Sequence, residues 1–482
     1  MRVRTHPILQ FPRDTPVTFT YDDKPVTAFK GESVAAALHA EGVKVLSHSL
    51  HFHRPRGFFC GIGKCSSCFM TVDGIPNVRT CITPVKDGMK VVQQESIGAV
   101  SKQPFPVLPA EQRSDEIAVI GCGPAGMMAA LIAADQGARV LLLDENHTPG
   151  GQLIKQTHKF FGSKQEKAGT RGITIAEELL HQVQKHENIT LYPATAAVGC
   201  YPMDDQYRLL TIRRQESLEQ RVEIDCQRIV VACGAMENML AFPGNDLPGV
   251  YGAGGVQTLM NVYGILPGKK VLMVGAGNVG LIVSYQLLQA GVEVIRVVEA
   301  LPRIGGYQVH AAKLRRCGVP IHTSCSIGKA IGTDAVTGAE IIQLDNSFQQ
   351  IENTRETLEC DTICLAVGLT PSVRLLEQAG AKTMFVPEGG GMVAIHDETM
   401  QTTLPGVYVA GDSSGIEEAS TAMIEGELAG VSAAVSLGYT DNATVIQKRC
   451  QQTLGVFRAG PFGQAPRICK EKIGCCLEQG AW

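Results

Sequence analysis

The fold of this chain is decided by the sequence IAVIGCGPAG, which occupies residues 117–126. An apolar run enters a glycine-rich turn, and a stretch rich in Ala, Met and Leu continues to about Gly137. A second apolar run at residues 140–143 then ends in acid. This order of strand, glycine turn, helix and strand predicts a dinucleotide-binding βαβ unit.

Each glycine of this turn has a separate task in such a unit. Gly121 permits the tight turn, Gly123 lets the backbone approach a pyrophosphate, and Gly126 lets the helix pack close to the strand. The helix N-terminus supplies N–H groups for the phosphates. Asp144 follows Gly121 by 23 residues, the position at which a carboxylate accepts hydrogen bonds from ribose hydroxyls. The alternative is a glycine-rich turn in an ordinary α/β core.

The composition limits the classes of function that are open to the chain. Its 482 residues predict about three domains, and a net charge of −4 gives no indication of a nucleic-acid partner. No apolar run reaches about 18 residues, so we expect no transmembrane segment, and residues 1–7 lack the apolar core of a secretory signal. Four of the 16 cysteines lie within residues 60–81, a clustering that favours metal binding in a reducing cytoplasm.

Those four cysteines have the spacing of an iron–sulfur loop. The pattern C-x4-C-x2-C-x12-C, typical of plant-type [2Fe–2S] proteins, is formed by Cys60, Cys65, Cys68 and Cys81. We expect Cys60 and Cys65 to hold one iron and Cys68 and Cys81 the other. Zinc is the alternative metal, but a zinc site more often has two C-x2-C pairs and this region has one.

The residues around this loop are predicted to form a small domain of their own, over 15–100. His48, His51 and His53 stand just before the loop, but four cysteines already complete the ligands of a cluster, so we interpret the histidines as part of a polar loop. Residues 101–114 contain three prolines and are predicted to be a linker.

Two further glycine motifs are predicted to contact the nucleotide of the first βαβ unit. Gly151 belongs to a Gly-Gly pair whose backbone can lie against a flavin or its pyrophosphate, and the following Gln152 can reach the edge of the isoalloxazine ring. A simple turn is the alternative. The strand at residues 229–235 ends in Ala-Cys-Gly-Ala, which resembles the Ala-Thr-Gly turn of two-dinucleotide flavoproteins and places Gly234 at the site.

A last motif selects FAD over NAD for this first site. The sequence TTLPGVYVAGD at residues 402–412 ends in Gly411 and Asp412, where the aspartate can accept a hydrogen bond from a ribityl hydroxyl. The helix that follows directs its positive end at the flavin. The predicted FAD residues are Gly121, Gly123, Pro124, Ala125, Gly126, Asp144, Glu145, Gly151, Gln152, Gly234, Gly411 and Asp412.

A second βαβ unit starts about 154 residues after the first, and this spacing indicates an internal duplication. Its acid, one residue later than in the first unit, disfavours a 2′-phosphate, so a nicotinamide cofactor here would be NAD rather than NADP. The sequence leaves open whether the site is used. The candidate NAD residues are Gly275, Gly277, Asn278, Gly280 and Glu299.

The motifs together predict an α/β two-dinucleotide-binding-domain flavoprotein, with Rossmann-like FAD and NAD domains and an N-terminal α+β ferredoxin-like (β-grasp) [2Fe–2S] domain. The predicted order is a [2Fe–2S] domain at 15–100, a linker at 101–114, an FAD-binding domain at 115–262 and 361–440, an inserted NAD-binding-like domain at 263–360 and a cysteine-containing tail at 441–482.

These motifs resemble those of one family. The segments Cys60–Cys81, Gly121–Asp144, Gly150–Gln152, 242–250 and Gly411-Asp412 are similar to the iron–sulfur flavoprotein (α-type) subunits of dye-linked amino- and imino-acid dehydrogenases, a group that includes those of proline dehydrogenase, sarcosine oxidase, opine oxidase and hydrogen cyanide synthase. The resemblance covers about residues 15–440. It implies that the amine is oxidised in a separate flavin-bearing partner and that this chain passes the electrons onward.

The chain departs from that family at two points. Family members often end in a cysteine-rich cluster module, but the spacing of Cys469, Cys475 and Cys476 does not match it. With Cys450 as a fourth ligand a cluster is conceivable, although we favour an oxidisable surface tail. In addition, no C-x2-C or C-x4-C lies near the flavin motifs, so a dithiol exchange mechanism lacks its thiols.

The leading hypothesis is therefore a cytoplasmic electron-transfer subunit of a heteromeric amine dehydrogenase, an FAD-dependent oxidoreductase acting on CH–NH or CH–NH2 donors. It would take electrons from an amine or imino acid through the partner's flavin and deliver them through FAD and [2Fe–2S] to an external acceptor. One alternative is a self-sufficient NADH:acceptor oxidoreductase. A second alternative is a nucleotide-binding scaffold without turnover. No His, Asp and Glu constellation nominates a catalytic acid–base pair.

Overall fold

The chain divides into two compact units, each built from two separate stretches of sequence. The computed structural model describes residues 1–94, 96–98, 108–160, 167–215 and 218–480. One unit consists of Met1–Pro104 and Glu237–Gly368, and the other of Phe105–Met236 and Leu369–Trp482. Most of the predicted linker lies outside the described residues, and its last four positions already belong to a strand that begins at Glu111. The finer domain boundaries stay predictions.

The N-terminal stretch forms a five-stranded sheet in the order β2-β1-β7-β5-β6. The β1–β2 hairpin turns through Asp22 and Asp23, both at positive φ, as Asp tolerates in tight turns. Helix α1 is buried along its whole length and its first turn is capped by Ser33, which accepts from the N–H of Ala36 at 3.3 Å. The β-grasp prediction is confirmed. The elements are β1 (Pro16–Tyr21), β2 (Lys24–Phe29), α1 (Val34–Ala40), β3 (Ser47–His48), β4 (Pro55–Arg56), β5 (Phe69–Val72), β6 (Ile75–Arg79) and β7 (Lys90–Gln93).

The next stretch carries the first βαβ unit. Its strands form a sheet in the order β10-β9-β8-β13-β12-β11, in which β8, β9 and β10 run parallel and β11–β13 form an antiparallel extension. The last four residues of β8, at 117–120, and the whole of β9 are continuous apolar runs, because both faces of a parallel sheet are covered there. The elements are β8 (Glu111–Ile120), α2 (Pro124–Asp135), β9 (Val140–Leu143), α3 (Gly172–Lys185), β10 (Ile189–Tyr192), β11 (Thr195–Pro202), β12 (Tyr207–Gln215), β13 (Leu218–Val231) and β14 (Ala235–Glu237).

The second βαβ unit lies in the same compact unit as the β-grasp sheet. It forms a parallel sheet in the order β15-β22-β16-β17-β18, accompanied by an antiparallel sheet of β19, β20 and β21. Helix α4 continues as one π-helical turn at Thr258–Val262. The elements are β15 (Val250–Gly252), α4 (Ala253–Gln257), β16 (Lys270–Val274), α5 (Asn278–Gln289), β17 (Glu293–Val298), α6 (Gln308–Arg316), β18 (Ile321–His322), β19 (Cys325–Gly332), β20 (Val336–Gln343), β21 (Glu356–Glu359) and β22 (Thr362–Leu365).

The last stretch completes the sheet of the first βαβ unit, because β26 pairs in parallel with the end of β13. Helix α8 packs closely on α2 through two glycines: a Cβ on Gly426 or Gly430 would lie 2.1 Å from the carbonyl oxygen of Ala125 or 2.3 Å from that of Ala129. In the part of the chain that the structure describes, no helix is long and apolar enough to cross a bilayer. The elements are β23 (Leu369–Pro371), α7 (Arg374–Ala379), β24 (Thr383–Val386), β25 (Gly391–Ala394), β26 (Val407–Val409), α8 (Ala419–Val435), α9 (Ala443–Ala459) and α10 (Gln464–Gln479).

Candidate functional site

The first glycine turn lies between β8 and α2, and its glycines answer to different constraints. Gly121 has φ 105°, and a Cβ there would lie 2.3 Å from the carbonyl oxygen of Ala232. A Cβ on Gly126 would lie 1.7 Å from the carbonyl oxygen of Gly121. At Gly123, by contrast, the nearest atom to a new Cβ would be the Cα of Gly151 at 3.9 Å. The outer two glycines are needed by the fold itself, and the space at Gly123 is free for a ligand.

Asp144 ends β9 and holds the glycine turn in place. Its Oδ2 accepts from the N–H of Cys122 at 2.7 Å and its Oδ1 from the N–H of Asn146 at 2.8 Å. Burial raises the pKa of the Asp144 carboxyl, which is 6 % exposed. Glu145 follows it and is half-buried. The predicted ribose contact of these acids stays a prediction, and the structure gives Asp144 the additional role of fixing the turn.

The Gly150–Gly151 pair packs directly against the glycine turn. Gly150 donates its N–H to the carbonyl oxygen of Cys122 at 2.9 Å. Gly151 has φ 55°, and a Cβ there would lie 2.7 Å from the Cα of Gly123. Gln152 is exposed in the 3-10 turn that follows. The two motifs therefore border the same space.

The Gly411-Asp412 motif reaches this region from the other end of the sequence. Gly411 has φ 65°, and a Cβ there would lie 2.9 Å from the Cβ of Ala125 in the first turn of α2. Ser413 donates its hydroxyl to the carbonyl oxygen of Gly234 at 3.2 Å. Removal from bulk water raises the pKa of the Asp412 carboxyl to about 7. Motifs that are far apart in sequence thus converge on one cradle for a dinucleotide.

Sequence reasoning missed the residue that supports this turn from behind. Glu425 in α8 is 1 % exposed; its Oε2 accepts from the N–H of Gly411 at 3.0 Å and from the hydroxyl of Ser414 at 2.7 Å. The available signal was an acidic residue in a helix that is otherwise rich in Ala, Gly and apolar residues, because such a residue is rarely buried without partners. The cations that pair with Glu425 come from α9 and α10.

The second glycine turn repeats the geometry of the first. Gly275 has φ 107°, with a Cβ position 2.2 Å from the carbonyl oxygen of Ala366, and a Cβ on Gly280 would lie 2.1 Å from the carbonyl oxygen of Gly275. At Gly277 a new Cβ would meet no atom within 4 Å. The space that a pyrophosphate needs is therefore present here as well.

The acid and the second glycine pair are also repeated. Glu299 accepts from the N–H of Ala276 at 2.7 Å, as Asp144 does from Cys122. Gly306 donates its N–H to the carbonyl oxygen of Ala276 at 3.0 Å, as Gly150 does to Cys122. Asn278 accepts at its Oδ1 from the N–H of Tyr307 at 2.8 Å. The sequence analysis overlooked this pair, although GG at 305–306 stands about where GG at 150–151 stands in the first unit.

Three of the four N-terminal cysteines, Cys60, Cys65 and Cys68, lie in the loop between β4 and β5, and Cys81 follows β6. Cys60, Cys68 and Cys81 are at most 4 % exposed, and Cys65 is half-buried. Hydrogen bonding from Cys65 and then from Cys81 lowers the pKa of the Cys60 thiol, and hydrogen bonding from Cys81 lowers that of Cys68. Cys81 therefore contacts both Cys60 and Cys68, and its N–H donates to Sγ of Cys68 at 3.4 Å. The division of the four ligands between two irons stays a prediction.

The backbone of the cysteine loop suits an iron–sulfur cluster. Gly61 and Gly63 have φ of 64° and 72°, so the loop adopts a conformation that side chains rarely allow. In a [2Fe–2S] cluster each iron takes only two protein sulfurs, and inorganic sulfides supply the rest.

The remaining cysteines take no part in such a site. None of the 16 cysteines, all of which lie in the described residues, forms a disulfide. Cys450 packs in the core of α2 and α8, whereas Cys469 lies beside Gly389, in a different apolar cluster. Cys475 is exposed. The structure therefore does not assemble the conceivable C-terminal cluster, and two of the four thiols are core residues rather than surface residues.

The loop before Cys60 is anchored within its own unit. Gly252 donates its N–H to the carbonyl oxygen of Phe59 at 3.2 Å. Arg54 and Arg56 place their guanidinium groups 3.6 and 3.3 Å from the Asp246 carboxylate. His48 and His53 stack at a ring-centroid distance of 4.5 Å on the β3–β4 hairpin. Segment 242–250 thus contacts, through Asp246, the residues that precede the cysteine loop.

Comparisons with known proteins agree with these sites. The family described as 2Fe-2S iron-sulfur cluster binding domain matches residues 14–96, and the family described as Pyridine nucleotide-disulphide oxidoreductase matches residues 115–426. The predicted cofactors FAD and [2Fe–2S] and the predicted fold class are confirmed.

Several curated proteins are similar to the chain. The alpha chain of sarcosine oxidase from Rhizobium meliloti (strain 1021) is 26% identical over 86% of the present chain and 45% of its own length. The opine oxidase component from Agrobacterium tumefaciens (strain Ach5) is 26% identical over 72% of the present chain and 71% of its own length. The HcnB component of hydrogen cyanide synthase from Pseudomonas aeruginosa PAO1 is 27% identical over 69% of the present chain and 73% of its own length. The present chain spans about half the length of the sarcosine oxidase relatives it matches.

Solved structures show the same fold. L-proline dehydrogenase from P. horikoshii superposes with a TM-score of 0.69 at 24% identity, over 93% of this chain and 79% of that one. Thioredoxin reductase from T. acidophilum superposes with a TM-score of 0.55 at 19% identity, over 67% of this chain and 99% of that one. With its two glycine turns, its FAD cradle and a 2Fe-2S cluster binding domain preceding them, the chain belongs to the pyridine nucleotide-disulphide oxidoreductase family.

Proposed function

We propose that this chain is the electron-transfer flavoprotein subunit of a heteromeric amino- or imino-acid dehydrogenase. The observation that carries the proposal is the pairing of two sites in one polypeptide: an FAD cradle in one unit and a paired-cysteine loop in the other. FAD takes up two electrons at once, whereas a [2Fe–2S] cluster carries them one at a time. A chain with both converts paired electrons from a donor into single electrons for an acceptor.

Three titratable side chains beside the FAD cradle, Glu417, Glu425 and His396, are already engaged within the protein. The two buried glutamates next to the turn, Glu417 and Glu425, are bound to cations. His396 donates to the carbonyl oxygen of Ala394 at 2.8 Å; burial and then the charge of Lys470 lower its pKa to about 3, so it is neutral. Groups engaged in this way are poor candidates for a general base, which supports oxidation of the amine in a separate, flavin-bearing subunit.

The names of the relatives support the donor class. The curated relatives described above are named as subunits of sarcosine oxidase, opine oxidase and hydrogen cyanide synthase. We infer by analogy that the donor is a small amine or imino acid and that the complete enzyme is a hetero-oligomer. The clustering of four cysteines within residues 60–81 supports a reducing cytoplasm as its location.

Anaerobic reduction of the purified chain tests the proposal. The flavin absorbance is followed after addition of sarcosine, L-proline or NADH, first to the chain alone and then to the complex purified with its natural partners. We expect no rapid bleaching by either amine in the isolated chain and rapid bleaching in the complex. Rapid bleaching of the isolated chain by an amine would place the substrate site in this polypeptide and contradict the proposal.

The second candidate function is an NADH:acceptor oxidoreductase, favoured by the open space at Gly277 and the repeated Glu299 contact. Rapid bleaching of the isolated chain by NADH would support it, with electrons then leaving through the [2Fe–2S] cluster. The scaffold hypothesis predicts a third outcome. The chain binds FAD, but neither NADH nor an amine reduces it, even in the complex.

A further inference from the structure

The last two helices direct their basic side chains at the flavin turn. Arg458 lies near the end of α9 and Lys470 in the middle of α10. Their side chains are only 16 % exposed, and both contact the carboxylate of Glu425. Cations that are buried to this extent require partners, because burying an ionised group is costly unless it is paired.

Lys470 is surrounded by acceptors from three different elements. Its Nζ lies 2.9 Å from Oε1 of Glu425, 2.8 and 3.0 Å from the hydroxyl and carbonyl oxygens of Ser414, and 3.3 Å from Nε2 of His396. Because His396 is neutral and uses its other ring nitrogen on Ala394, Nε2 can only accept. A compact ammonium group suits this cage of four acceptors.

Arg458 completes the charge balance. Its Nη2 donates to Oε1 of Glu425 at 2.6 Å and to Oε1 of Glu417 at 2.7 Å. Two buried carboxylates thus face two buried cations. Burial alone would raise the pKa of Glu425, but the charges of Lys470 and Arg458 outweigh it and lower the pKa to about 2.

We propose that Lys470 and Arg458 are positioning residues for the flavin: they hold Glu425 in place, and Glu425 fixes the turn Gly411–Ser414 that binds FAD. The oxygen of Glu425 that faces this turn, Oε2, binds the N–H of Gly411 and the hydroxyl of Ser414, while Oε1 binds both cations. The C-terminal helices are therefore a brace for the cofactor site. This inference rests on the FAD site and is independent of the electron donor.

The chain offers a matched pair of variants on one helix. Lys470→Met removes the buried cation, and Lys472→Met removes a half-exposed lysine of α10 that pairs with Glu388 at 2.7 Å on the surface. FAD affinity is measured by flavin fluorescence quenching on the deflavinated full-length chain. We expect Lys470→Met to weaken FAD binding at least tenfold and Lys472→Met to stay within twofold of the parent.

Two spectra separate positioning from general damage. The visible circular dichroism of bound flavin should change in Lys470→Met and not in Lys472→Met, because it reports the orientation of the ring in its site. The visible spectrum of the [2Fe–2S] cluster should be the same in both variants. Equal loss of cluster and FAD in Lys470→Met would mark a general structural role and overturn the proposal.

A second variant tests the same contact without burying an unpaired charge. Ser414→Ala removes the hydroxyl that joins Lys470 to Glu425, and we expect three- to tenfold weaker FAD binding with an unchanged melting temperature of the deflavinated chain. If Lys470→Met does not fold, this variant decides alone: weaker binding supports the proposal. FAD binding within twofold of the parent in every variant that folds would overturn it.

Discussion

At the scale of single residues, the glycines of the first turn fall into two kinds. Gly121 and Gly126 have backbone oxygens within 2.3 Å of where a Cβ would be, whereas Gly123 has open space. The familiar motif therefore combines positions that the polypeptide needs in order to fold with one position that only a ligand needs. Substitution at these sites should separate folding from binding.

We predict that Gly123→Ala lowers FAD affinity at least tenfold and changes the free energy of unfolding of the deflavinated chain by less than about 1 kcal/mol, the usual cost of Ala at a helix N-cap. Its φ of −82° suits any residue. FAD titration and thermal melts measure the two effects. Gly126→Ala is the contrasting variant and should fail to fold. Unchanged FAD binding by Gly123→Ala would show that the pyrophosphate lies elsewhere.

A second prediction concerns the pH dependence of FAD binding. The pKa of Asp412 is raised to about 7 in the chain without ligand. A hydrogen bond donated by a ribityl hydroxyl stabilises the ionised carboxylate and lowers its pKa, so FAD binding releases a proton and affinity rises as pH increases through about 7. Titrations between about pH 6 and pH 8 measure this rise. It should be absent in Asp412→Asn; a rise of equal size in that variant would assign the effect to another group.

At the scale of elements, the chain uses one βαβ design twice. The glycine turn, the acid that caps it and the packed Gly-Gly pair occur in both copies, with Gly150 and Gly306 making equivalent backbone bonds. These contacts maintain the fold whether or not a nucleotide is bound. A complete second copy is therefore expected both if the second glycine turn binds NAD and if it only maintains the fold.

The variant Gly277→Ala decides between these uses of the second copy. A Cβ there would touch no protein atom within 4 Å, so FAD content, cluster content and melting temperature should stay unchanged. If NAD binds at this turn, the rate at which NADH bleaches the flavin falls at least tenfold in stopped-flow mixing. The parent chain mixed with NADPH is the control and should react slowly, because an acid such as Glu299 at the end of the second strand disfavours a 2′-phosphate. An unchanged NADH rate in Gly277→Ala would exclude this turn as the site.

The sequence allowed these repeated elements to be predicted because glycine turns and their strands are local patterns. The same is true of the cysteine loop, whose ligands lie within residues 60–81. The sequence did not allow the brace formed by α9 and α10 to be predicted. Arg458 and Lys470 look like ordinary surface charges of helices, and only tertiary packing brings them to Glu425. The predicted tail likewise proved to contain two helices, with Cys450 and Cys469 in apolar cores.

At the scale of the whole molecule, each compact unit is assembled from two stretches of chain and contains one candidate cofactor site. In the unit with the cysteine loop, one apolar core includes Cys68, Cys81 and Met273 of the second βαβ unit, and another includes Cys60 and Leu272. The other unit surrounds the FAD cradle with cores on both faces of its sheet. Stability should therefore depend on each cofactor separately.

We predict two transitions in differential scanning calorimetry of the full-length chain, because units with separate cores do not unfold as one two-state system. FAD at about 100 times its dissociation constant should stabilise one transition by about 2.7 kcal/mol. Cys65→Ser, which removes a predicted cluster ligand, should lower the temperature of the other transition. The cysteine variant Cys317→Ser, at an exposed position, is the control. A single transition that shifts with both cofactors would contradict separate units.

The spread of each site along the sequence sets an order of events during synthesis. All four cluster ligands leave the ribosome within 22 residues of one another, so iron can be captured by a nascent chain. The parts that enclose FAD are translated between Gly121 and Asp412, and Lys470 emerges 58 residues after Asp412. The four cluster ligands are therefore translated before the flavin site is complete, so a chain interrupted between Cys81 and Asp412 would carry all the cysteines of the first site but only part of the second.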